Sequence, residues 1–293
     1  MENKIIQIKK NDIVVSINRQ GGCLDSINKN GYEYLWQGSQ DSWTGKDVAI
    51  FPFIARLKGG EYTVDGKTYS MKNHGLCRYA FLDVEKQEED EATVSLTANE
   101  DTLAQYPYKF KFSANYSLKD GKLTITYIVK NIDDKDIYFG LGGHPAFNIP
   151  FVREGDEDVI DGNTIVFENK ISPKNYYLTP DGSFITHKDK FEDLKEINLS
   201  KKIFQKYKTL MLCDTKINKV QLLKKDGKNV TMYLNNPDTV AIWTKEKFGG
   251  YICIEPWCGI PDFDNPEKEM SKKAGINKLG VGETFKFSYS IEI

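Results

Sequence analysis

Apolar and polar residues alternate along much of this chain with the two-residue period of a half-buried β-strand. Phe110, Phe112, Ala114 and Tyr116 share one face of Lys109–Leu118, and Phe285, Phe287, Tyr289 and Ile291 share one face of Thr284–Ile293. Asp-Gly pairs punctuate the pattern. Asp65-Gly66 separates Glu61–Val64 from Lys67–Met71, Asp120-Gly121 separates Lys109–Leu118 from Lys122–Val129, and Asp226-Gly227 divides Val220–Leu223 from Val230–Leu234. Such pairs favour type I′ hairpin turns, because both residues accept positive φ. A further apolar, β-branched strand, Ile13–Ile17, is broken by Gly21-Gly22. Helical periodicity is weak: Phe191–Ile197 and Ser200–Lys208 are each expected to make a turn or two. The polar, turn-rich stretch Val152–Lys190 reads as an irregular excursion over the sheet. Many hairpins and few helices predict an all-β fold of packed antiparallel sheets, a sandwich. No linker, repeat or low-complexity tract intervenes, so residues 1–293 are expected to form a single domain.

Composition narrows the function. Of 293 residues, 40% are hydrophobic and 28% charged, with a net charge of −2 and both signs interspersed. That balance predicts no nucleic-acid partner and no anionic membrane surface. The N-terminal residues lack a signal-peptide core and no apolar run approaches membrane-spanning length, so the expected location is cytoplasmic. Five dispersed cysteines (23, 77, 213, 253, 258) and three dispersed histidines show no zinc-binding spacing. Reduced, packed thiols and no metal are expected. Signatures of nucleophile elbows, phosphate loops and dinucleotide sites are absent.

Chemistry is sought where titratable groups stand in apolar company. In Tyr251-Ile-Cys-Ile-Glu-Pro-Trp257, a strand would place Tyr251, Cys253 and Glu255 on one face, so that a carboxylate ends an apolar run. Its plain alternative is a salt-bridged or solvated strand end. In Tyr138-Phe-Gly-Leu-Gly-Gly-His-Pro-Ala-Phe-Asn148, Gly140, Gly142 and His144 share a face, and glycine inside a strand marks close approach by a ligand or another backbone. The alternative is a histidine hydrogen-bonded in a turn. The hairpin at Asp65-Gly66 should bring Phe51–Arg56 beside Asn73-His74-Gly75, so that Arg56 and His74 converge on a polar ligand; an ion pair and a turn residue are the alternatives. His187 reads as an exposed loop residue.

In its ordered motifs the chain resembles the aldose 1-epimerase (galactose mutarotase) family, especially its shorter bacterial mutarotase-like branch. The motifs are Tyr34-Leu-Trp-Gln-Gly38, Phe51–Arg56, His74-Gly75, Tyr106-Pro107, Gly143–Asn148, Ile242–Lys245, Cys253–Trp257, Ala274-Gly-Ile276, Leu279 and Gly282-Glu283. The resemblance implies a large antiparallel β-supersandwich with few short helices and an open cleft for a monosaccharide. It implies Glu255 as catalytic base, His144 as catalytic acid, and Arg56 and His74 as sugar-positioning residues, with no cofactor. Trp257, Trp36 and Phe147 are candidates to stack on the sugar. The family's sugar-binding aspartate would fall near Lys208, where no acid stands; Asp214 is the nearest candidate, and six extended residues would separate the two by about 20 Å. A lysine there would favour an anionic ligand. Three readings therefore stand: an epimerase of free hexoses, a hexose-6-phosphate 1-epimerase, and a non-catalytic carbohydrate-binding protein. Either a monomer or a homodimer is compatible with the sequence.

Overall fold

A computed structural model describes residues 3–150, 162–245 and 250–293. Its ladders are antiparallel, and two sheets dominate. One has nine strands in the order Leu194–Asn198, Thr164–Ile171, Lys219–Leu223, Val230–Leu234, Thr284–Glu292, Lys122–Asn131, Phe110–Lys119, Glu91–Thr97 and Asp83–Gln87. The other runs Ile185–Lys190, Lys174–Leu178, Thr209–Cys213, Thr239–Trp243, Tyr251–Cys258, Leu141–Gly143 and Ala49–Ile50, with Ala146–Asn148 also paired to Tyr251–Cys258. A four-stranded sheet from the first 33 residues adds its Ile6, Ile8, Val15 and Ile17 to the same apolar core.

Alternation carries the two sheets into contact. Phe112 and Tyr127 of the nine-stranded sheet and Ile252 and Ile254 of the eight-stranded sheet are fully buried in that core. Phe51, which follows the Ala49–Ile50 strand, stacks on Phe112 with ring centroids 5.4 Å apart. Gly143 lies over the Tyr289 hydroxyl, where a Cβ would come within 2.4 Å. Sheet-on-sheet packing of this kind needs a bare backbone wherever a bulky ring crosses.

The hairpins at Asp65-Gly66 and Asp120-Gly121 form as two-residue turns with both residues at positive φ. Asp226-Gly227 instead sits in the longer loop 224–229, and only its glycine has positive φ. Ser200–Lys208 contains the helix Lys201–Tyr207. Phe191–Ile197 does not turn into helix: Leu194–Asn198 is an edge strand, held by pairing with Thr164–Ile171. The excursion expected at Val152–Lys190 is also corrected, since three strands lie within it, Thr164–Ile171, Lys174–Leu178 and Ile185–Lys190; its positions 152–161 lie outside the described residues. Edge strands with charged outer faces look like loops in sequence, because only one or two positions need be apolar.

Near the cleft the backbone is unusual. Ala55 and His74 have φ of 51° and 63°, a region that bulky L-residues seldom occupy. Gly75 beside them makes a parallel bridge to Phe51. At Gly75 an added Cβ would stand 2.2 Å from the Phe51 carbonyl oxygen and 2.4 Å from its carbon. Backbone cannot yield there, and φ is +80°. Gly75→Ala is therefore expected to cost about 3 kcal/mol or more in a denaturant titration, a loss that an ordinary surface glycine would not show.

Candidate active site

The strand Tyr251–Cys258 pairs with two short strands on one side, and the register is the same in both. Gly142 faces Trp257 and Leu141 faces Cys258; beyond the gap, Ala146 faces Cys253 and Asn148 faces Tyr251. Continuing that register across the gap sets His144 opposite Glu255. Pro145 and Pro256 interrupt the ladder at this point, and the Ile254 N–H donates to the Pro145 carbonyl. The result is a cross-strand pair whose His144 Nε2 lies 3.2 Å from Glu255 Oε2.

Both groups are buried, at 6% and 2% exposure. Burial pushes the Glu255 carboxyl well above its ordinary pKa, reinforced by Asp47 and partly offset by the Trp257 indole N–H. Burial also drives the His144 imidazolium down to about 3. The pair thus favours its neutral form, with one proton between the two side chains. Neither Glu255 Oε2 nor His144 Nδ1 completes a well-angled hydrogen bond within the protein, and both atoms are buried.

His74 stands on the next wall. Its N–H donates to the Ala55 carbonyl at 2.8 Å, and its Nδ1 accepts from the Ala55 N–H at 3.3 Å. An accepting Nδ1 leaves the proton on Nε2. Burial, with the charges of His144, Arg78 and Arg56, holds its pKa well below the usual value. His74 is therefore a neutral donor. Its ring meets that of His144 edge-on at 5.3 Å. The Asp65-Gly66 hairpin thus does bring Arg56 and His74 together, as the sequence suggested.

These side chains open into a cleft of about 650 Å³, lined among others by Arg56, His74, His144, Glu255 and Trp257. The volume falls in the range of small-molecule sites. Its aromatic walls are Trp257, Trp43 and Trp243, with Trp43 5.5 Å from the His144 ring and edge-on to Trp243 at 5.3 Å. Trp36 and Phe147 do not line it. Trp36 packs on Tyr251 and donates from Nε1 to the Trp43 carbonyl, while Phe147 is fully buried in the main core. Gly142 serves Trp257 and the Pro256 backbone, not a ligand: a Cβ there would meet the indole at 2.6 Å.

Asp214 is not part of the site. It lies past the far end of the strand Thr209–Cys213, exposed, and ion-paired to Lys174 at 2.5 Å. An extended strand separates it from Lys208, which does line the cleft. The acid beside Lys208 comes from elsewhere in the chain: Asp181, in the turn after Lys174–Leu178, also lines the cleft. Hydrogen bonds from the Thr179 and Ser183 hydroxyls keep its carboxylate below the usual range. Arg78, Trp43, Trp243 and Asp47 were equally unassigned by sequence reasoning. Arg78 follows His74 by four residues in an apolar run, and Asp47 opens the run Val48–Phe53, so each carried a signal. Trp43 and Asp181 sit in polar loops and carried none.

The five described cysteines are free and buried. Cys253 shares the Glu255 face, and with His144 and Glu255 it offers three ligand atoms mutually within 4.8 Å. Among the described residues this trio is the group with the geometry to hold a divalent ion, an arrangement that cross-strand pairing creates and sequence spacing hides.

The sequence matches the aldose 1-epimerase family over residues 4–292. The chain belongs to the aldose 1-epimerase family. It is similar over 98% of its length to a galactose mutarotase related enzyme from Lactobacillus acidophilus, with 30% identity, 96% of that chain covered and a TM-score of 0.90. A galactose mutarotase-like protein from Lactobacillus casei is 26% identical, with 98% of this chain and 99% of that one covered and a TM-score of 0.89. Protein LacX of Lactococcus lactis subsp. lactis is 26% identical, with 98% and 99% covered. The all-β fold expected from the hairpin pattern is the fold of these epimerase-family structures.

Asp47 holds the segment that carries His144 in place. Its carboxyl accepts from the Leu24 N–H at 2.8 Å and from the His144 N–H at 3.2 Å. Burial raises its pKa from 3.8 to about 6, against the pull of those N–H groups. The folded protein therefore keeps this proton up to about pH 6 while the unfolded chain loses it near 3.8. Stability from this group is full below pH 3.8 and falls as pH rises through about 6, by about 3 kcal/mol in all. Denaturant titrations from pH 4 to 7 should show the wild-type minus Asp47→Asn difference falling by about that amount. A difference flat with pH would show that Asp47 titrates like an exposed carboxylate.

Proposed function

We propose that this protein interconverts the α and β anomers of a hexose-sized aldose, with Glu255 as base, His144 as acid, and Arg56 and His74 positioning the sugar. The observation that carries the reading is the 3.2 Å approach of His144 Nε2 to Glu255 Oε2 inside the cleft. An isomerase of the family must remove the C1 hydroxyl proton and deliver one to the ring oxygen, and two adjacent proton-exchanging groups suit that task.

The single proton of the pair has two tautomers, neutral Glu–His and ionic carboxylate–imidazolium. Sugar hydroxyls entering the cleft offer hydrogen bonds that an ionic pair needs, and the proton passes to His144 without exchange with solvent. Glu255 then takes the C1 hydroxyl proton. The O–H electron pair forms the C1 carbonyl, the C1–O5 pair returns to O5, and O5 takes the His144 proton. Ring opening thus leaves Glu255 protonated and His144 neutral, the form that burial favours. Rotation about C1–C2 and the reverse transfers close the ring on the other face. His74 Nε2–H, kept neutral, donates to a sugar oxygen without competing for the proton, and the Arg56 guanidinium offers a planar donor fork. Apolar faces of Trp43, Trp243 and Trp257 suit the C–H face of a pyranose.

Polarimetry of freshly dissolved α-D-glucose and α-D-galactose, with subtraction of the spontaneous rate, tests this. Wild type should accelerate relaxation, and Glu255→Gln and His144→Asn, shown to be folded by circular dichroism, should each lose about 10²-fold or more. Undiminished activity in either folded variant would remove that residue from the chemistry.

A further inference from the structure

Ring opening has no use for Cys253, yet its thiol lies at the reacting pair. Cys253, His144 and Glu255 are 0%, 6% and 2% exposed, and one ligand atom from each lies within 4.8 Å of the other two. Strand geometry makes the group. Alternation puts Cys253 on the Glu255 face, while the shared register sets His144 opposite Glu255 and Ala146 opposite Cys253. Two nitrogen or oxygen ligands about 2.1 Å from a tetrahedral zinc ion stand about 3.4 Å apart. His144 Nε2 and Glu255 Oε2 stand 3.2 Å apart, close to the bite of a chelate. A sulfur about 2.3 Å from the same ion lies about 3.6 Å from each of them. The Cys253 thiol, at most 4.8 Å away, has a single torsion with which to close that gap. Glu255 Oε2 completes no well-angled hydrogen bond among the described residues, so no protein donor competes with an ion for it.

Charge and ligand type then select the ion. A dication with one thiolate, one carboxylate and one neutral imidazole sums to zero, and a buried site tolerates a neutral set far better than a charged one. The thiol proton and the single proton of the pair leave to solvent as the ion enters. Magnesium and calcium take oxygen ligands, and copper(I) takes sulfur in preference to carboxylate, whereas a mixed sulfur, nitrogen and oxygen set suits zinc. We propose that Cys253, His144 and Glu255 bind one Zn2+ ion, as an inhibitor and not as a cofactor. The cleft, lined by His144 and Glu255 but not by Cys253, gives the ion its entry path and a water as fourth ligand. Inhibition rests on the anomer-interconverting reading, because an ion on both groups leaves neither free to exchange a proton. Binding itself does not rest on it.

The test titrates chelator-treated, reduced wild type with Co2+, a coloured stand-in for zinc, and then with Zn2+ by calorimetry and in the polarimetric assay. Cobalt should give a thiolate-to-metal charge-transfer band and the visible bands of a four-coordinate site, saturating at one equivalent and bleached by Zn2+. Cys253→Ala should retain its turnover, lose the charge-transfer band and bind Zn2+ about 10²-fold or more weakly, since even outer partners of a zinc ligand are worth about 10–100-fold. Cys213→Ala, which removes a buried thiol on another strand, should behave as wild type. Zinc should slow anomer exchange by wild type, reversibly on adding chelator, and leave Cys253→Ala unaffected at the same concentration; Mg2+ should slow neither. No charge-transfer band in wild type, or one that Cys253→Ala keeps, would overturn the site. Zinc bound at one equivalent with turnover unchanged would place the ion away from the pair and overturn it as well. No turnover of any sugar would sink the epimerase reading, and absorbance and calorimetry would still decide the ion. Should Cys253→Ala fail to fold by circular dichroism, His144→Asn carries the same binding comparison.

Discussion

One register holds the site together. The strand Tyr251–Cys258 is paired in a single register with Leu141–Gly143 and with Ala146–Asn148, and the gap between those two strands is where His144 meets Glu255. Because side chains alternate along a strand, a slip of one residue would turn Glu255 into the apolar core and replace it with Ile254 or Pro256. Pairing on both sides of the gap prevents that slip, since Thr239–Trp243 also aligns Ala241 with Glu255 from the opposite edge. Asp47 fixes the remaining freedom by accepting the His144 N–H from outside the ladder. The chemistry is thus a consequence of strand pairing, with the prolines at 145 and 256 relaxing the ladder only where the two side chains face each other.

Burial then sets how the pair behaves. A carboxyl and an imidazole exposed to water would hold an ion pair at neutral pH, each near its ordinary pKa. Here burial raises one and lowers the other until a single proton serves both. Anomer exchange requires the same two groups to give and take a proton in alternate half-reactions, and a single shared proton suits that exchange. His74 is kept out of that exchange by its accepting Nδ1. The surrounding indoles of Trp43, Trp243 and Trp257 keep the dielectric low without offering a competing base. The same cleft carries four cations at its walls, so its interior is nearly neutral at the reacting end and positive around it.

Much of this was legible in the residues. Alternation and Asp-Gly turns were enough for an all-β fold of antiparallel sheets, because a half-buried strand must alternate and a two-residue turn must tolerate positive φ. Glu255, His144, His74 and Arg56 stood out because each is a titratable or charged group in an apolar stretch; the first three are buried, which is too costly to be incidental, while Arg56 reaches the exposed rim of the cleft. Trp257 was one of three aromatic stacking candidates given with the resemblance, and of the three it alone lines the cleft. Asp214 failed for a simple reason: adjacency in sequence is not adjacency in space, and the extended strand Thr209–Cys213 carries Asp214, six residues from Lys208, away from the cleft. Asp181 and Trp43 were invisible because they lie in polar loops, where a functional side chain has the same surroundings as an idle one.

What the sequence determined by itself was therefore periodic and local: which clearly alternating segments are strands, where Asp-Gly hairpins turn, and which polar groups are out of place, while the strands between Thr164 and Asn198 escaped it. Tertiary structure alone decided which of those groups meet. It put Asp181 rather than Asp214 beside Lys208, gathered Arg56, Arg78, Lys208 and Lys245 around one cleft, and brought Cys253 to His144 and Glu255. The physical reason is that a strand's own residues dictate its faces, while its partners, its register and the loops that close over its end depend on long-range pairing that no local pattern encodes.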